Sequence, residues 1–296
     1  MTRIGFVGLG NMGTPMAQRL ADAGNDLSVY DSSASARDRF TGVANVRVLD
    51  VVFGVAVDAE VVILMLPDSN VVEHVLLTDG LLQHIAPGAT VVDMSSSEPM
   101  RTRALAALAA ERGVTLIDAP VSGGVGGARS GSLAVMVGGP PETFAALQPM
   151  FSTLGSRVVH AGNVVGSGHA VKALNNLMSA AHLMVSAEAV HAAAAFGLDP
   201  VVTLDIVNGS SGKSASTENK WPKFILPGTY DSGFGLRLMI KDLGVALALQ
   251  HATGTPAPLS EAALAVWSAA GAELPADADH TEVAKWVGQH MESNGL

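Results

Sequence analysis

The sequence predicts an α/β chain in which an N-terminal doubly wound sheet is followed by an all-α C-terminal domain, the two joined by a long helix. In the first half, short apolar runs alternate with helical patterns, as expected of parallel strands buried on both faces. A glycine-rich turn separates the first run from the first helix. Beyond Gly162 the apolar runs stop and only helix-period patterns remain. This places a dinucleotide-binding domain at residues 1–162 and an all-helical substrate and oligomerisation domain at 163–296. A chain of 296 residues with 48% apolar content can fill both cores.

Residues 4–7 form the first strand, and Gly8, Leu9, Gly10, Asn11, Met12 and Gly13 lead into a helix through Ala23. This is Gly-x-Gly-x-x-Gly in a Rossmann-type setting. The first glycine permits the turn, the second admits a pyrophosphate to the backbone, and the third lets helix and strand pack closely. The phosphates would meet the positive end of the helix and its unpaired N–H groups. A second strand, 27–30, ends at Asp31, near the ~20-residue offset of a ribose-binding acid. Residues 46–48 form a brief strand, and a helix crosses near 50–57. The continuous apolar run 61–66 stops at Pro67, which places Leu66 and Pro67 at a carboxyl strand end, where open α/β sheets bind ligands. After strand 90–94, Ser97 is read as the cap of a helix over about 100–112, leaving Ser95 and Ser96 facing the crevice.

Strand 115–118 leads into residues 119–132, which are rich in glycine and read as a loop. Successive N–H groups of such a loop can bind an anion, and the composition fits a plain surface loop equally. A strand at 133–137, a helix to about Phe151 and a strand at 157–159 complete the domain. The long helix then runs to Phe196, stopped by Gly197 and Pro200. Lys172, Asn176 and Ser179 share one of its faces at steps of four and three. Taken alone, the spacing also fits a buried connector helix with a snorkelling lysine. Further helices are expected near 200–207, 234–254, 260–270 and 281–291, and residues 208–214 have the character of a substrate-facing turn.

A formal charge of −10 without a basic stripe argues against nucleic-acid partners. The absence of cysteine excludes thiolate chemistry, and the nine histidines show no ligand spacing, so no metal is expected. Neither a secretory leader nor a membrane span is expected, which suggests a cytoplasmic protein. A long alanine-rich helix among short ones suggests apolar surface shared between copies, as in a homodimer or homotetramer.

Four separated segments resemble the β-hydroxyacid dehydrogenases, a family that includes 3-hydroxyisobutyrate dehydrogenase and is related to 6-phosphogluconate dehydrogenase. They are residues 5–13, 118–124, 166–176 and 241–243. The resemblance implies that Lys172 transfers the proton and Asn176 holds substrate, while Ser122, Gly123 and Gly124 bind its carboxylate. It also implies that Ser96 and Lys241 lie by the nicotinamide, and that Leu66 and Pro67 touch the cofactor. Where the family usually reads Asp-Ser-Ser-Thr, this chain has Asp93-Met94-Ser95-Ser96, keeping the last hydroxyl on Ser96 and losing the first serine.

The implied reaction interconverts a small 3-hydroxy acid and its carbonyl form. It needs a nicotinamide, a carboxylate site and one mobile proton, and a lysine suits the last when its surroundings lower its pKa. Asp31 would accept from a ribose 2′-hydroxyl and repel a 2′-phosphate, so NAD is expected in preference to NADP. Arg37 is the one nearby cation that could offset this. The rival readings are an NADP-dependent enzyme like the imine reductases, against which Lys172 speaks, and a catalytically silent nucleotide-binding regulator.

Overall fold

A computed structural model describes residues 2–293, which divide into two compact units between Lys172 and Ala173. The division falls inside the long helix, ten residues beyond the Gly162 expected from sequence, because the start of that helix packs with the first unit.

The first unit runs β1 (Arg3–Val7), α1 (Gly13–Asp22), β2 (Asp26–Tyr30), α2 (Ala34–Asp38), β3 (Val46–Val48), β4 (Val61–Leu64), α3 (Ser69–Glu73), α4 (Leu81–His84), β5 (Thr90–Asp93), α5 (Pro99–Ala110), β6 (Thr115–Asp118), β7 (Val121–Ser122), α6 (Gly124–Ser130), β8 (Ala134–Gly138), α7 (Pro141–Leu154) and β9 (Arg157–Gly162), then enters α8 (Ser167–Ala195). The strand order is β3-β2-β1-β4-β5-β6-β8-β7, with β9 on β8. Strands β1 to β6 are mutually parallel, and β8 joins β6 antiparallel through Asp118 and Gly138. The order reverses between β1 and β4, which opens the ligand crevice of a doubly wound sheet beyond their carboxyl ends.

The period of two sorts side chains between two cores. Val61 and Ile63 pack with Ile4, Phe6, Met16 and Phe151 on one face, and Val62 and Leu64 with Val7, Leu76 and Leu105 on the other. A helix was expected near 50–57, and the chain makes only a 3₁₀ turn, Val52–Ala56, set against Gly5 of β1. The loop expected over 119–132 is instead a two-residue strand followed by α6, even though glycine supplies three of the first four residues of α6. The second unit is helical: the rest of α8, α9 (Pro200–Asn208), a π-helical segment Ser216–Ile225, α10 (Leu236–Ala252), α11 (Pro258–Glu273) and α12 (Glu282–Ser293). Its own core gathers Leu183, Trp221, Leu236, Leu243 and Trp267. Among the described residues no helix is long and apolar enough to cross a membrane.

Candidate active site

The cofactor loop lies at the reversal of strand order. Gly8 has a φ of 100°, and the Met65 carbonyl stands behind it where a Cβ would project. A Cβ on Gly13 would run into the Gly8 carbonyl, so the loop closes tightly on α1. Gly10, by contrast, faces open space. Helix α1 has no side-chain cap and no acid in its first turn. An open glycine before an uncapped helix end suits a pyrophosphate, so these residues fit a dinucleotide.

Asp31 ends β2 and reaches back across the loop, where its Oδ2 accepts from the Leu9 N–H at 2.7 Å and its Oδ1 from the Ser33 N–H at 2.8 Å. Arg37 is held in place, donating from Nη1 to the Asp31 carbonyl at 2.7 Å and from Nη2 to Asp50 at 3.2 Å, with its guanidinium carbon 5.8 Å from the centre of the Tyr30 ring. At the end of β4, the half-buried Leu66 donates its N–H to Ser95 Oγ at 3.0 Å, and the exposed Pro67 precedes Asp68, whose carboxylate caps α3. Ser95 is therefore a buried pin between two strand ends, while Ser96 remains half-buried beside it. Ser97 is not the cap of α5: its hydroxyl donates to Asp93 Oδ2 at 2.8 Å, and Glu98 precedes the helix without a side-chain cap. Burial beside a carboxylate outcompetes the exposed cap.

Sequence reading gave no role to the buried polar cluster that sets the start of α8. The Asp118 carboxylate accepts from the Gly166 N–H at 2.6 Å and from the His169 N–H at 2.7 Å, so it caps the helix. His169 is 1% exposed; its ring meets Thr102 Oγ1 at 2.9 Å and the Ser95 carbonyl at 3.1 Å. Burial pushes the Asp118 carboxyl above the usual range, against the pull of His169 and the two backbone donors. Gly168 is needed because a Cβ there would collide with the Met136 carbonyl. The signal available in sequence was the pair Asp93 and Asp118, each closing an apolar strand. Ser122, Gly123 and Gly124 form the turn from β7 into α6, with Ser122 half-buried.

Lys172, 8% exposed, lies one turn past His169, and Asn176, 6% exposed, one turn further on the same helix. In the second unit the Asn176 amide donates to Asp242 Oδ2 and its Oδ1 accepts from Asn175 at 3.1 Å. Lys241 Nζ pairs with Asp242 Oδ1 at 3.0 Å. Asp242, buried to 3%, thus links the two residues that the sequence had placed at substrate and cofactor. Among the described residues this pairing engages one of the two N–H groups of the Asn176 amide. Among the described residues no cluster of three or more histidine and carboxylate side chains is arranged to hold a metal.

Residues 3–166 match the family model for the NAD binding domain of 6-phosphogluconate dehydrogenase, and residues 166–287 that for NAD-binding of NADP-dependent 3-hydroxyisobutyrate dehydrogenase. The 3-hydroxyisobutyrate dehydrogenase of Pseudomonas aeruginosa is 40% identical over 95% of each chain. The 2-(hydroxymethyl)glutarate dehydrogenase of Eubacterium barkeri is 36% identical over 90% of this chain and 88% of its own. A solved 3-hydroxyisobutyrate dehydrogenase of Mycobacterium tuberculosis, described with L-serine, superposes with a TM-score of 0.90 at 33% identity, over 97% of this chain and 99% of that one. With both halves matched and the crevice, glycine loop and lysine helix in place, the chain belongs to the β-hydroxyacid dehydrogenase family of nicotinamide-dependent oxidoreductases.

Proposed function

We propose that the protein oxidises the hydroxyl of a small 3-hydroxy carboxylic acid to the carbonyl, with NAD as acceptor and Lys172 as the acid-base residue. The observation that carries this is the burial of Lys172 and Asn176 one turn apart on one face of α8, with Asn176 oriented by Asp242. A cation and an amide donor on one apolar helix suit a single oxygen that must lose its proton. When bound, the nicotinamide supplies the acceptor for the hydride that leaves the carbinol carbon. Neutral Lys172 takes the hydroxyl proton as the C–O bond becomes double; in the reverse direction its ammonium returns that proton. Asn176 donates its remaining N–H to the same oxygen or to the carboxylate, and Ser122 and the N–H groups of Gly123 and Gly124 hold the carboxylate.

The dinucleotide is assigned to Gly8, Leu9, Gly10, Asn11, Met12 and Gly13 with Asp31, and its nicotinamide end to Leu66, Pro67, Ser96 and Lys241. NAD is preferred because the Asp31 carboxylate faces the loop and Arg37 is already held by Asp50 and the Asp31 carbonyl. The first unit carries most of the cofactor contacts, the carboxylate loop and Lys172, and the second carries Asn176, Lys241 and the surface between copies in a homodimer or tetramer. Three acids named with the relatives above share a carboxylate and a hydroxymethyl group on one carbon: 3-hydroxyisobutyrate, L-serine and 2-(hydroxymethyl)glutarate. A screen of these and other short 3-hydroxy acids with NAD and with NADP tests the reading. NADH formation with at least one of them is expected, and no turnover with any would overturn it.

A further inference from the structure

Lys220 belongs to none of the motifs above, yet its ammonium reaches the functional face of α8. It lies in the π-helical segment Ser216–Ile225, a winding found often at functional sites. Two contacts within the second unit lay this segment along α8: Lys220 Nζ donates to Ser179 Oγ at 2.8 Å, and Trp221 Nε1 donates to Ser186 Oγ at 3.0 Å. Ser179 continues the face of Lys172 and Asn176, roughly 10 Å along the axis from Lys172. Among the described residues Ser179 Oγ is the only hydrogen-bond acceptor of this ammonium. An ammonium has three donors, so two N–H groups of this half-buried cation have no partner among the described residues. Asp279 is the carboxylate that acts on this ammonium, and its oxygens are already taken by Ser232, Gly233, Phe234 and Thr281. Burial pushes Lys220 down to about 8, with Asp279 pulling the other way, so most of it is cationic at pH 7. A half-buried ammonium with spare donors beside a substrate face invites an anion.

We infer that Lys220, with Ser179, forms a subsite for the third substituent of the substrate's branched carbon and favours a second carboxylate there. This rests on the dehydrogenase reading and deepens it. The three acids named above differ in that substituent alone: a methyl group, an ammonium group, or an ethyl arm ending in a carboxylate. Lys220 attracts the last, tolerates the first and repels the second.

The test compares kcat/KM for these three acids in wild type, Lys220→Met and Lys220→Arg. Wild type should favour 2-(hydroxymethyl)glutarate over 3-hydroxyisobutyrate, and L-serine should come last. In Lys220→Met the ratio of the first to the second should fall about tenfold or more, chiefly through KM, since a charge-assisted hydrogen bond is lost from binding. Lys220→Arg should keep most of the ratio. A ratio unchanged in Lys220→Met, or lost equally in both variants, overturns the inference. A second arm needs no variant: glutarate should compete with 3-hydroxyisobutyrate about tenfold more tightly than isobutyrate does, and equal inhibition constants overturn the inference as well. Oxidation of none of the three acids would instead bring down the dehydrogenase reading, so the two failures are distinguishable.

Discussion

The two units handle their polar groups differently. In the first, the buried groups answer one another: Asp118 caps α8, His169 bridges Thr102 and the Ser95 carbonyl, Asp93 receives Ser97, and Ser95 pins β4 to β5. Arg37, the half-buried cation most relevant to the cofactor, is also engaged. The second unit leaves more unanswered. Lys220 has one acceptor among the described residues, and the most exposed large apolar side chains, Phe196 at 85%, Leu259 at 84%, Ile206 at 63% and Val201 at 61%, all belong to it. A closed network holds geometry still, whereas open donors and apolar surface suit contact with other molecules. The first unit is the more closed of the two, and the second keeps more groups available to other molecules.

The largest effect is expected where the closed network is cut. Asp118→Ala leaves the Gly166 and His169 N–H groups buried without an acceptor, which should cost about 3 kcal/mol or more of stability in urea unfolding. Asp118→Asn keeps one carbonyl acceptor and should recover part of the loss. An alanine variant as stable as wild type would show that the cluster does not hold α8.

Cofactor choice probes the same closure. With Arg37 held, kcat/KM should be at least about tenfold higher with NAD than with NADP, one lost charge-assisted contact being worth that much. Equal values, or a preference for NADP, would mean that Arg37 leaves Asp50 to meet a 2′-phosphate.

Asp118 and Asp279 sharpen the comparison through pH. Burial lifts Asp118, whereas at Asp279 burial is outweighed by hydrogen bonds from His280, Thr281 and Ser232, which hold its carboxyl well below the usual range. A depressed folded pKa gives stability present above the ordinary carboxylate value of about 4 and lost as pH falls through the depressed value. A raised one gives stability that is greatest below about pH 4 and lost as pH rises through the raised value. The stability gap between wild type and Asp279→Asn should therefore narrow on acidification, while that for Asp118→Asn moves the other way. Parallel slopes in chemical unfolding across the acid range would contradict this.

The smallest effect concerns assembly. The exposed apolar side chains of α8, α9 and α11 should be covered by a second copy, so light scattering at micromolar concentration should give at least a dimer, and Ile206→Glu should weaken it. A single-chain mass for wild type would remove that assignment.

The sheet was readable in the sequence because buried parallel strands are continuous apolar runs, and β1, β2, β4, β5 and β6 sit within a residue or two of their expected places. The helix of Lys172 was equally plain, since its period persists for 29 residues. Composition misled at residues 119–132, where glycine-rich sequence folds as α6 because Ala128 and Leu133 anchor it to the core. Ser97 has the type and position of a cap, and only the tertiary placement of Asp93 diverts it. The π-helical segment was missed because Pro222 and a polar run mask its period, and Lys220 with it. Asp118 and Asp242 lie within the segments 118–124 and 241–243, but their partners lie 48 and 66 residues away, a distance that spacing rules do not reach.

The central claim is that the buried lysine on α8 moves the proton. Lys172→Met keeps the apolar stem and the helix, so NADH binding by fluorescence titration should match wild type while kcat on an accepted hydroxy acid falls by at least about 10²-fold. A folded variant that binds NADH normally and retains more than about a tenth of wild-type kcat would contradict it, because general acid-base catalysis is worth more than that.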